Sequence, residues 1–104
     1  MIKMRINYKP DIDVLVVEKE NFEGFGSNLE LDGFVLDLDS EGEFLGLEII
    51  DASQKTQLSK EELGSIEDAE VNFTRSEEAV KVQLVLTIES RKNVISSLYP
   101  VAEA

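Results

Sequence analysis

The chain has no cysteine, no histidine and no tryptophan, only two prolines, and fewer than half as many basic residues as acidic ones. Each shortage removes a class of chemistry. Without cysteine there are no disulfides and no thiolate nucleophile; without histidine there is no imidazole acid–base catalyst; without either, zinc sites of the usual N/S type are gone. The lack of cysteine fits a reducing compartment. Ten Lys and Arg stand against 22 Asp and Glu, for a formal charge of −12. Such a surface repels phosphate backbones and anionic lipid, so nucleic acid and membrane are poor partners, whereas a basic protein or a cation is favoured. The segment after Met1 is too charged for a signal peptide, and no apolar run approaches the roughly 20 residues of a membrane span. The expected location is cytoplasmic.

What is present is a globular composition on a single-domain length, 104 residues with 42% hydrophobic and 31% charged. The period is mostly two. Ile2, Met4, Ile6 and Tyr8 alternate with polar residues, Lys9-Pro10-Asp11 reads as a turn, and Ile12–Val17 is apolar on both faces in its second half. Residues 18–28 read as an irregular stretch, and Leu29–Leu31 as a run broken or bulged near Asp32-Gly33. Gly24 and Gly26 do not make a phosphate cradle, because Glu18, Glu20, Glu23 and Glu30 flank them.

Phe34, Leu36 and Leu38 share one face, as do Leu45, Leu47 and Ile49. Both trios face the same side of a hairpin only if the loop holds an even number of residues. A loop of Ser40–Glu43 pairs Leu38 with Leu45, Leu36 with Leu47 and Phe34 with Ile49. The same parity argument pairs Phe73 with Val80 and Val71 with Val82. Asp51-Ala52-Ser53-Gln54 and Ser59–Glu62 both read as helix caps, the second with Leu58 and Leu63 as a hydrophobic staple and Gly64 as a stop. Val94–Tyr99 fits helix or strand equally.

These elements predict a mainly β chain bordering on α+β: a single domain (residues 1–104) of antiparallel meander and hairpins, six to eight strands with one or two short helices, forming a small sandwich or roll. The expected core is Met4, Ile6, Val14, Val16, Leu36, Leu38, Leu45, Leu47, Ile49, Val71, Phe73, Val80, Val82, Leu84 and Leu86.

One stretch imitates a ligand site. Asp37, Asp39, Glu41, Gly42 and Glu48 fall at the offsets of a twelve-residue calcium loop, and are the weak candidates for a metal. Both flanks have strand period, however, which sets Asp37 and Glu48 on separate strands of a hairpin. No catalytic residue, cofactor site or committed metal site is assigned, and an enzyme is not expected.

Tyr8-Lys9-Pro10-Asp11, Asp13-Val14-Leu15, Gly33–Asp39, Glu41-Gly42 and Gly46–Ser53 together resemble the small prokaryotic family catalogued as domain of unknown function 2283, over roughly residues 4–56. The run Gly46-Leu47-Glu48-Ile49-Ile50-Asp51-Ala52-Ser53 carries the resemblance most specifically. Val16 departs from it, standing where the family tends to have an aromatic. The resemblance implies a compact meander with a short helix and no known reaction; it suits an antitoxin-like acidic protein that neutralises a basic partner. The functional expectation is a non-enzymatic acidic binding module for a basic protein, with self-association through a strand edge as the alternative. Glu48 faces away from Leu47 and Ile49, and folding alone gives no reason for a carboxylate there.

Overall fold

A computed structural model describes residues 4–100; Ile2 and Lys3, placed above in the first strand, lie outside the described residues. Eight strands and two short helices follow in order: β1 (Met4–Lys9), β2 (Val14–Lys19), β3 (Phe25–Leu31), β4 (Phe34–Asp39), β5 (Phe44–Ile50), α1 (Ala52–Thr56), α2 (Lys60–Leu63), β6 (Asp68–Arg75), β7 (Ala79–Ile88) and β8 (Arg91–Pro100). They form two antiparallel sheets, β1-β2-β5-β4-β3 and β6-β7-β8. The fold class is as the periodicity predicts.

The core lies between the inner faces of the two sheets, with Leu15, Val17, Leu36, Leu47 and Ile49 from one and Val82, Leu84 and Leu86 from the other, all 2% exposed or less. Burial of each such side chain contributes about 1.5–3 kcal/mol. The two helices, which join the sheets along the chain, add Ala52 and Leu63, and the link between them adds Leu58. At α2 the cap is as expected: Glu62 N–H donates to Ser59 Oγ (3.0 Å), and Ser59 N–H donates to Glu62 Oε1 (2.9 Å). The staple residues Leu58 and Leu63 are both buried, and Gly64 ends the helix with right-handed φ, −76°.

Four residues, Ser40–Glu43, separate β4 from β5, and Phe34 faces Ile49 and Leu36 faces Leu47 as predicted, but the pair next to the turn encloses an odd number of residues. The third pair differs. Leu38 lies opposite Phe44, not Leu45, because Leu45 is the extra residue of a β-bulge. The bulge turns Phe44 inward, where its ring meets Phe73 at 6.2 Å, so Phe44 and Leu45 are both buried. In the second sheet the parity holds but the register moves by two: Phe73 faces Val82 and Val71 faces Leu84. The Ser76 hydroxyl accepts from Glu78 and Ala79 N–H, which tightens the turn and carries the ladder out to Arg75.

Other expectations are corrected. The core face of β2 is Leu15 and Val17, while Val16 is half-buried on the outer face and Val14, though buried, also lies there. Apolar Ile6 and Tyr8 opposite Val17 and Leu15 decide that parity, which two apolar faces alone could not. Asp32-Gly33 is not a bulge but a two-residue hairpin turn with φ of 48° and 85°. The irregular stretch is shorter than expected, since β2 continues to Lys19 and β3 begins at Phe25. The ambiguous last element is a strand.

Candidate functional site: an acidic sheet face and the cap beneath it

The five-stranded sheet has a second sheet on its inner face and, among the described residues, no element across its outer one. Strand alternation sends Glu18, Asp37 and Glu48 to that outer side. Glu18 and Asp37 flank Gly46 on β5, and Glu48 sits one step along, between Val16 and Val35. All three are half-buried. Glycine at position 46 is needed because a Cβ there would lie 2.9 Å from Glu18 Cβ and 3.4 Å from the Phe22 ring. Phe22 lies over this glycine and stacks on Phe25, which is 53% exposed.

Burial first, then the charges of Glu48 and Glu18, raises the Asp37 pKa above the ordinary carboxylate value. Arg5 reaches Glu18 at 3.2 Å. The other ion pairs among the described residues, Lys55–Asp32 and Arg75–Glu43, lie elsewhere. Asp37 and Glu48 thus share a face with a like charge and have no cation on them.

The calcium-loop candidates are not gathered. Asp39 spends its carboxylate on its own turn, Oδ1 accepting from the N–H groups of Glu41 and Glu43 at 2.9 Å each. Glu41 and Gly42 give their carbonyls to Arg75 Nη1, and Asp37 and Glu48 are on the sheet face. Among the described residues no group of three or more acidic side chains is close enough to hold a metal ion. Glu18, which the spacing argument overlooked, is the third member of the real cluster; it needed the β2–β5 register to be found.

A second constellation lies at one end of the same sheet. Asp13, with φ of 54°, ends the β1–β2 turn. Its Oδ1 accepts from the Tyr8 hydroxyl (2.7 Å) and Ser53 N–H (3.1 Å), its Oδ2 from the Ser53 hydroxyl (2.6 Å), and its carbonyl from Ala52 N–H (2.9 Å). Asp13 therefore caps α1. Asp51, the expected cap, is left-handed (φ 55°) and makes no side-chain cap bond. The Ser53 hydroxyl, followed by the Tyr8 hydroxyl, holds Asp13 below the ordinary carboxylate value, while burial and Asp13 push Tyr8 up to about 12. The serine and the tyrosine both donate to this carboxylate, so the trio ties α1 to the β1–β2 turn.

The Gly24–Asn28 segment opens a strand, not a helix. Gly24 takes φ of 75° and its carbonyl accepts from Ser40 N–H, and Gly26 packs against the Asp39 and Ser40 backbone too closely for any Cβ. No helix among the described residues is long and apolar enough to cross a membrane.

A protein of Methanosarcina mazei described as "Putative hypoxanthine phosphoribosyltransferase" is 30% identical over 71 residues, which are 68% of this chain and 58% of that one. The chain thus spans less than two thirds of that relative's length. No solved structure matches the chain. Residues 5–53, from β1 to the Asp13-capped start of α1, match the family described as "Protein of unknown function (DUF2283)", so the acidic face and its cap lie within the segment that resembles this family.

Proposed function

We propose that this protein is a non-enzymatic binding module whose outer sheet face receives a basic protein segment. The observation that carries this reading is the placement of Asp37 and Glu48. They sit half-buried beside Glu18 with no cation among the described residues upon them, and the burial and like charges that raise the Asp37 pKa are a cost to folding that Lys or Arg from a partner would relieve. Valines 16 and 35 and Phe22 lie among these carboxylates, so a segment carrying both cations and apolar side chains matches the face best. A role as neutraliser of a basic protein fits this chemistry and the net charge of −12.

The name of the Methanosarcina relative raises phosphoribosyl transfer as a second reading. Such a substrate carries several phosphates, and the features that receive phosphate are glycine-rich loops opening helices, with Lys or Arg beside them. The glycine-rich segment of this chain opens a strand and is bordered by Glu20, Glu23 and Glu30. The acidic-face reading is therefore preferred.

Titration of the labelled protein with a Lys- and Leu-containing amphipathic peptide, followed by amide shifts at low and moderate salt, tests the proposal. Shifts are expected on β2, β5 and β4, weakened several-fold by Glu48→Gln. Shifts spread evenly over the surface, or untouched by that substitution, overturn it.

A further inference from the structure

We infer that β8 is a self-recognition edge, along which two copies of the chain pair antiparallel about Ser96 to join their three-stranded sheets into one of six strands. This inference stands independently of the acidic-face proposal, since it uses the other sheet.

The starting point is the turn before β8. Glu89 and Ser90 have φ of 50° and 64°, a two-residue type I′ turn closed by Ile88 and Arg91. The closing pair of such a turn is hydrogen-bonded. The register then runs without a break to Ala79–Pro100, so the odd-numbered residues of β8 bond to β7. The N–H and C=O groups of Lys92, Val94, Ser96 and Leu98 consequently point to the free edge.

The side chains of these even-numbered residues lie on the outer face of the sheet. Val94 is 59% exposed and Leu98 57% exposed, the two most exposed apolar residues of this sheet. They stand symmetrically about Ser96. A two-fold axis through Ser96, normal to the sheet, keeps each face on its own side and sets Val94 against the partner's Leu98 twice. The same operation opposes Ser96 to the partner's Ser96 and makes every outward N–H from Val94 to Leu98 a donor. One register therefore satisfies the backbone and covers both exposed apolar side chains. Pro100, which has no N–H to give, falls opposite the partner's Lys92 and closes the ladder.

Charge supports the same partner. Between Asn93 and Pro100 the strand has no charged residue, and its only charges, Arg91 and Lys92, are positive in a chain of net −12. Two acidic copies thus meet with the least repulsion along this strand. The other edges are less suitable. β1 carries Arg5 and Lys9, β3 is interrupted by a register shift between Phe25 and Ser27, and β6 carries Asp68 and Glu70. Edge strands are ordinarily protected by inserted charges, bulges or proline, and β8 lacks such a guard between Val94 and Leu98.

Sedimentation of the full chain over a range of concentrations tests the inference, with Val94→Lys, Leu98→Lys and Ser96→Pro alongside. The wild type is expected to dimerise. Each lysine variant should raise the dissociation constant at least tenfold, and Ser96→Pro should do the same by removing an outward N–H that β7 does not use. Because the chain has no cysteine, Ser96→Cys supplies a clean second readout: oxidation should link the dimer through this one position, whereas Ser40→Cys, in the β4–β5 turn of the other sheet, should not link. A monomer at every concentration overturns the inference, as does a dimer that the lysine variants leave intact or that Ser96→Cys fails to link.

Discussion

The Ser53 hydroxyl lies 2.6 Å from Asp13 Oδ2, a bond between residues forty positions apart that ties the first helix to the first hairpin turn. It brings together a tyrosine and an aspartate from one end of the stretch that resembles the family and a serine from the other. Tyr8 and Ser53 converge on Asp13, and the backbone of Ala52 bonds to its carbonyl. Asp13→Asn places an amide donor where the carboxylate accepts from two hydroxyls and an N–H. The expected loss is about 2 kcal/mol of stability, read by denaturant unfolding. Tyr8→Phe removes one of these bonds and should cost less.

The same bond sets a pH dependence. Asp13 is held below its ordinary value in the folded chain, with the Ser53 hydroxyl as first cause, so its contribution is complete above about pH 4 and fades as pH falls further. Asp37 acts in the opposite direction. Its raised value means that the folded state favours the protonated form, so the destabilising contribution grows as pH rises from the ordinary carboxylate value and is complete above the folded one. Asp37→Asn should therefore stabilise the fold at pH 7, by up to about 1 kcal/mol after solvent screening. It should also weaken binding of a basic segment. Stability and binding moving in opposite directions, measured on one variant, would separate a functional carboxylate from a structural one.

How much of this was legible depends on whether the deciding contact was local. Parity fixed Phe34 against Ile49 and Leu36 against Leu47, and the Ser59–Glu62 cap needed only four consecutive residues. The bulge at Leu45 could not be read, because what turns Phe44 inward is Phe73 in the other sheet. The cap of α1 was assigned to Asp51 by the same local rule that worked at Ser59; the real acceptor arrives from Asp13, through a turn. Asp32-Gly33 is a different case, a hairpin signal present in the sequence and read as a bulge. For the candidate site, Asp37 and Glu48 are visible in the sequence as fragments of a calcium loop. Only strand order, with β2 beside β5, adds Glu18 and shows what they form.

Arg75 joins the two sheets at the opposite end from Asp13. Its guanidinium donates to the carbonyls of Glu41 (3.2 Å) and Gly42 (2.8 Å) and reaches the Glu43 carboxylate at 3.5 Å. Gly42 takes φ of 81°, and a Cβ there would collide with Arg75 Nη1. Gly42→Ala combines an unfavourable backbone angle with loss of this contact and should cost about 1–2 kcal/mol. Arg75→Ala should cost less than about 1 kcal/mol, because all its partners are exposed. Hydrogen exchange at Glu41 and Glu43 distinguishes the two: the alanine at position 42 should open the turn, while loss of Arg75 should leave the Asp39 bonds that close it.

The Tyr99 hydroxyl is buried with no hydrogen bond of good geometry among the described residues; the Ser97 side chain, two positions away, is close enough only to oppose part of the rise that burial gives its pKa. Tyr99 is only 2% exposed and faces Val80 on β7, on the core side of the second sheet. An unsatisfied buried hydroxyl costs about 1–3 kcal/mol relative to one that stays hydrated. Tyr99→Phe deletes that oxygen and keeps the ring, so the variant should be more stable than the wild type by about 1 kcal/mol, seen as a higher denaturant midpoint at unchanged slope. A lowered midpoint would mean that the hydroxyl is satisfied in solution, by water or by the Ser97 side chain two positions away.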